Sequence, residues 1–336
     1  MEKSLEGFCR LMLEEYGSPG AIAYDIERLA RHFVDYFELS SYPDLREIKL
    51  LLDQRHRVAT VRPGYLGGLP ACHYLDRMNR LYIEYEEGGW LGRSEHSIMH
   101  ECYEALQTTC EDMVPGYRAY RDPTDMCMKP YADKFAAAVL MQKDVFIRAI
   151  RETGLDICSL RRYFAFSHRS YSSVAIRIKE LLKPPVVAEG TDFLIAIYAR
   201  GSDGEPDEWD LTACPEEFYA ECVVKTQGIL LSRNKRGASR RSYLLPRRLL
   251  PVKGEKPVAG SIVEQAIRCQ QPLCYQDARF DLLGTNDMTI LARPVYWKGR
   301  IAKAILVAVR KEDSYLLGKQ LEELTNLKVV DTVYIS

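Results

Sequence analysis

A break midway along the chain constrains its fold more than any other feature. Before it the apolar residues follow a helical period, as in "SPGAIAYDIERLARHFVDYFEL", where Ile22, Ile26, Leu29, Ala30, Phe33 and Phe37 share one face. The break itself, "KPPVVAEGTD", carries Pro184, Pro185 and Gly190. After it "DFLIAIYARG" reads as a strand running into a turn, followed by further strands, an amphipathic helix and a hairpin with Lys298-Gly299 at its turn. A mainly helical part followed by a sheet domain predicts the α+β class.

The helical part has its own interruptions. "SYPDLREIKLLLDQR" opens a helix after Pro43. "VATVRPGYLGGLPACHYLD" and "RLYIEYEEGGWLG" are rich in Val, Tyr and Ile and broken by Pro-Gly and Gly-Gly, which predicts a small sheet. Helical signal resumes near Ser94, passes through "HECYEALQTTCEDM", breaks at "VPGYRAYRDPTD" and returns in "YADKFAAAVLMQKDVFIRAI". At 336 residues the chain is too long for one ordinary core. Its punctuation predicts three parts, residues 1–145, 146–185 and 190–336.

Composition removes several function classes. The formal net charge is -1, with 47% apolar and 28% charged residues, so nothing draws the whole chain toward nucleic acid or membrane. "MEKSLEGFCRLMLEEYG" has acids inside its apolar run and reads as an amphipathic helix instead of a signal peptide. No window holds the roughly 18 consecutive apolar residues of a membrane helix. A cytoplasmic location with no membrane partner is expected. The ten cysteines are scattered without a C-x-x-C pair and read as reduced, mostly buried thiols. A phosphate-binding Gly-rich loop and a nucleophile elbow are both missing.

Chemistry concentrates in "SIMHECYEALQ", residues 97–107. In H-E-x-x-H, positions i and i+4 lie one turn apart, so two imidazoles reach one zinc while the Glu polarises the metal-bound water. His100 and Glu101 keep the first two places, but Glu104 stands where the second histidine would be. His96 lies one turn before His100, so His96, His100 and Glu104 share a face. They span about 12 Å at 1.5 Å per residue, too far for all three to meet one ion. Cys72-His73 and Cys102 read as structural residues, the latter a small buried hydrophobe.

This order of elements, followed by "ADKFAAAVLMQ", resembles the ImmA/IrrE family of gluzincin-like regulatory metallopeptidases. Ala132, Asp133, Phe135, Ala136, Ala137, Leu140 and Met141 match that family's "AN-x-FAA-x-LLMP" run, with Gln142 at the place of the usual proline. The likeness continues into "DICSLRRYFAFSHRSYSSVAIRIKELL", similar to the helix-turn-helix-like tail that follows many such domains. The resemblance implies a mostly helical gluzincin-like domain with Glu101 as general base and zinc on His100 and the position of Glu104. It also implies a third, carboxylate ligand between Lys129 and Tyr131, where Lys129, Pro130 and Tyr131 are unsuitable.

Asp125, Asp133 and His96 remain as candidates for that third place. A set of one histidine and two carboxylates has harder ligands, favouring Mn or Mg over zinc. A cleft with no metal is the reading that the ligand count favours, and Asp125 or Asp133 within reach of His100 would reverse it.

Two further segments carry charge. In residues 153–182, Leu160, Tyr163, Phe164 and Phe166 precede a Ser167-His168 turn and Val174, Ile176, Ile178 and Leu181 follow it, predicting two short helices at an angle. Arg161, Arg162, His168, Arg169, Arg177 and Lys179 predict an exposed basic side suited to phosphates. Beyond residue 190 the pattern of strands, helix, short strand and hairpin looks like a GAF-type sensor domain, which implies a small ligand. Within it, residues 232–256 bring together Arg233, Lys235, Arg236, Arg240, Arg241, Arg247 and Arg248, a candidate site for nucleic acid or an acidic partner.

Two functions follow from the resemblance. The first is a stress-response or transcription-regulatory protein whose degenerate peptidase site binds a partner repressor or nucleic acid without cutting. The alternative is an active metallopeptidase that cleaves a helix-turn-helix repressor, with Glu101 as base and a metal on His100 and Glu104.

Overall fold

Ser4 and Gly17 define the first helix. The Ser4 hydroxyl accepts a hydrogen bond from the Gly7 amide at 3.0 Å, and Gly17, at φ 78°, ends α1 (Leu5–Tyr16) in the left-handed conformation that glycine adopts without strain. The short α2 (Pro19–Ile22) leads to α3 (Ile26–Phe37), capped by Asp25, and the face predicted from its period is the buried one. A helical turn, α4 (Leu45–Ile48), widens into a π-helix over Lys49–Arg55. The computed structural model describes residues 3–22, 25–77, 80–87, 91–115, 129–163, 169–182, 192–200, 217–226, 229–231, 243–245, 251–279, 287–297 and 299–317. They form two units, residues 1–147 and 148–336.

The small sheet of the first unit comprises β1 (Ala59–Gly64), β2 (Ala71–Leu75) and β3 (Leu81–Glu86) in the order β1-β3-β2. β1 runs parallel to β3 and β2 antiparallel. Two long helices follow, α5 (Leu91–Asp112) and α6 (Lys129–Leu140). Aromatic rings lock the helices together: Phe8 of α1 meets Phe33 of α3 at 5.6 Å between centroids, Phe33 meets Phe135 of α6 at 5.3 Å, and Phe135 meets Tyr103 of α5 at 5.4 Å. Phe135 belongs to the FAA run, so that run is a packing device.

In the second unit, α7 (Lys143–Thr153) crosses the boundary and α8 (Ile157–Tyr163) and α9 (Tyr171–Leu181) follow. The sheet strands are β4 (Phe193–Arg200), β5 (Phe218–Lys225), β8 (Leu273–Arg279), β9 (Asp287–Trp297) and β10 (Arg300–Arg310). Between them in sequence lie a short parallel pair, β6 (Ile229–Leu231) with β7 (Tyr243–Leu245), and α10 (Ile262–Cys269). The five strands are antiparallel in the order β5-β4-β10-β9-β8. Leu194, Ala196, Ala304 and Leu306 pack against Ile262, Val263 and Ala266 of α10 on one face.

The opposite face carries α9. Ser172 donates to Glu221 of β5 at 2.5 Å, and Lys303 of β10 donates to the same carboxylate at 2.6 Å. With helices on a sheet face and helices in a separate layer, the class is α+β, as the sequence predicts. The expected basic exposed side is corrected in part: Arg169, just before α9, and Arg177 within it are buried, at 6% and 1% exposure, while Lys179 is exposed. Arg161 lies over the Tyr171 ring, 3.9 Å from its centroid. His168 lies outside the described residues. No helix among the described residues is long and apolar enough to cross a membrane.

Candidate metal and catalytic site

The site grows out of how α5 and α6 pack. Ile98, Met99, Cys102, Tyr103 and Leu106 bury one face of α5, which turns His96, His100 and Glu104 toward α6 and the sheet. On α6, Ala132, Phe135 and Ala136 are fully buried. The two alanines let the helices approach closely, and Asp133, next to Ala132, reaches across. Its Oδ1 accepts from His100 Nδ1 at 2.9 Å and from His96 Nε2 at 3.3 Å. These two bonds, the His96 one first, hold the Asp133 carboxyl below its ordinary value.

The other ring nitrogen of His100 meets a second carboxylate, with Nε2 at 3.1 Å from Glu104 Oε1. A neutral imidazole has one N–H, so it can donate to one of these carboxylates only. Both contacts are satisfied together either by a ring protonated on both nitrogens or by a cation placed at one of them. His100 is thus flanked by acid on both sides of its ring.

Glu101 faces the sheet. Its Oε2 lies 2.6 Å from His73 Nδ1 on β2, and this hydrogen bond raises the His73 pKa against the opposing effect of burial. Two groups therefore bring three donor atoms within 4.8 Å of one another: His96, His100 and Asp133, and His73, Glu101 and Glu104.

Of the residues singled out in the sequence, His96, His100, Glu101, Glu104 and Asp133 gather here. Asp125 lies outside the described residues, as do Arg233, Lys235, Arg236, Arg240, Arg241, Arg247 and Arg248. Sequence reasoning left His73 as a structural residue. Its signal is the register: Ala71 pairs with Tyr85 and His73 with Ile83, both buried, so this histidine is the polar residue on the inward-facing side of β2. Cys102 is buried, and burial pushes its thiol pKa up, so it is a packing residue.

A polar cluster of imidazoles and carboxylates held between two packed helices and a sheet edge defines a candidate metal-binding cleft in an α+β protein. No protein-family model matches the chain, and no curated protein matches it. A Mycobacterium tuberculosis transcriptional regulator of known structure is similar, with a TM-score of 0.50 at 13% identity, covering 97% of this chain and 86% of its own. At that identity the likeness is one of fold.

Proposed function

We propose that the chain is a transcription-regulatory or stress-response protein of the ImmA/IrrE type whose first unit binds a divalent metal and cleaves a partner helix-turn-helix repressor. The observation that carries this reading is Asp133 at 2.9 Å from His100. It supplies the carboxylate that the ligand count lacked, at a position four residues C-terminal to the unsuitable Lys129. His100, with Asp133 or Glu104 beside it, fits a zinc or a manganese ion. A metal bound there supplies Lewis-acid polarisation of a peptide carbonyl and an activated water.

The chain's own residues do the rest. Glu101, adjacent to His100 and largely buried, takes the proton from the attacking water and returns it to the leaving amine. His73, donating to Glu101, fixes which way that carboxylate points. The same contact favours a second reading, a protein that holds its partner without cutting, because one Glu101 oxygen is already engaged. The regulatory part of the proposal is supported by the fold shared with the mycobacterial regulator. The second unit, with its GAF-like order of elements, is proposed to sense a small ligand, and residues 232–256 to contact nucleic acid or an acidic partner.

Elemental analysis of protein purified without chelator, wild type beside His100→Ala, tests the metal. Near-stoichiometric zinc or manganese in the wild type and its loss in the variant is the expected outcome. Metal missing from both proteins sinks the peptidase reading and leaves the non-cutting one.

A further inference from the structure

The motif as read from the sequence puts the ion on His100 and Glu104. The geometry assigns it elsewhere: we infer that the cation sits on His96, His100 and Asp133, an H-x-x-x-H pair one helical turn upstream, closed by a carboxylate from α6, with Glu104 outside the ligand set. This inference rests on the metal-binding reading above and changes which residues carry it; with the ion on the Nδ1 side, Glu101 stands with Glu104 and His73 on the other side of the ring, a placement that fits the non-cutting reading.

Asp133 and Glu104 lie on opposite sides of the His100 ring, one at Nδ1 and the other at Nε2. Ligand directions from the two nitrogens diverge, so one ion bound through this ring cannot use both acids. The choice falls between the two sides, and three features decide it.

The first is donor type. The Nδ1 side holds a second imidazole, His96, giving two histidines and one carboxylate, a combination that serves as a three-ligand catalytic zinc set. The Nε2 side offers carboxylates together with His73, a harder set. The second is spacing. Four-coordinate zinc with bonds of about 2.0–2.1 Å places its ligand atoms about 3.3 Å apart. The His96 and His100 nitrogens lie 3.3 and 2.9 Å from one Asp133 oxygen.

The third is availability. The side chains of His96 and Asp133 are 37% and 46% exposed and give an ion a path from solvent, whereas those of His73 and Glu101 are 24% and 13% exposed. The arrangement also overcomes the length problem of the helix face. His96, His100 and Glu104 cannot converge along α5, but Asp133 arrives from a different helix at the midpoint of the two histidines.

The test is zinc titration of the full chain in competition with a chromophoric chelator, joined to cobalt(II) absorption, for wild type, His96→Ala, Asp133→Asn and Glu104→Gln. Far-UV circular dichroism checks that each variant is folded. His96→Ala and Asp133→Asn are expected to weaken zinc by at least about tenfold, the loss typical of even an outer-shell partner. Glu104→Gln is expected to keep stoichiometric zinc, and the cobalt spectrum to change on loss of His96. If Glu104→Gln loses zinc while His96→Ala keeps it, the ion is on the Nε2 side and this inference fails, though the metal reading stands. Equal binding by all four proteins marks an unrelated surface site and overturns it. A wild type that takes up no zinc removes the metal reading as well.

Discussion

His56 shows what one buried titratable side chain does to the first unit. It is 5% exposed, and its buried Nε2 has no hydrogen-bond partner among the described residues. Burial first, then the nearby Lys3 and Arg55 cations, lowers its pKa from the ordinary value of 6.5. The folded unit keeps His56 neutral, while the unfolded chain takes up a proton below about 6.5. Stability is therefore whole above that pH and is lost as pH falls toward the lowered folded value. Urea midpoints measured from pH 7 to pH 5 should fall for the wild type and fall less for His56→Gln. The same scale explains what was legible in the site. His100, Glu101 and Glu104 stand in one motif and can be read from it, whereas His73 becomes visible only through its contact with Glu101, 28 residues further along, which no local spacing encodes.

Helix α9 is the element whose role the sequence least reveals. Its apolar period is plain, but a period does not say what covers the helix, and Arg177, expected to face solvent, is buried. Lys303, nearly inaccessible, and Ser172 both donate to Glu221, so the sheet and α9 share one carboxylate. Removing one partner of a buried pair leaves a charge uncompensated. Lys303→Ala should destabilise the second unit by roughly 3 kcal/mol. Lys303→Met with Glu221→Gln should cost less than the sum of the single changes, a coupling that a double-mutant cycle measures directly. By contrast α5 and α6 were readable as elements, because an unbroken period and the FAA run together specify both the helix and its buried face.

At the scale of the molecule, each unit builds a core of its own. Scanning calorimetry of the full chain should show two transitions. Phe135→Ala, which removes the ring joining α3, α5 and α6, should lower the first unit's transition by about 3–5 kcal/mol of stability. Lys303→Ala should move only the other. Although the two units divide at residues 147–148, the change from helices to strands near Pro184 was legible. The grouping of α8 and α9 with the sheet was not, since hydrophobic period identifies a helix without naming the core it joins.

The strand order of the second unit also sets a timetable. β4 is buried on both faces, yet its central partner is β10, and Phe193 pairs with Val309, about a hundred residues later. Contacts that distant in sequence form slowly, because the intervening chain must be ordered before they are made. During synthesis β4 must wait for β10 to emerge, so the second unit should be the slower to fold and the one that depends on chaperones in the interval.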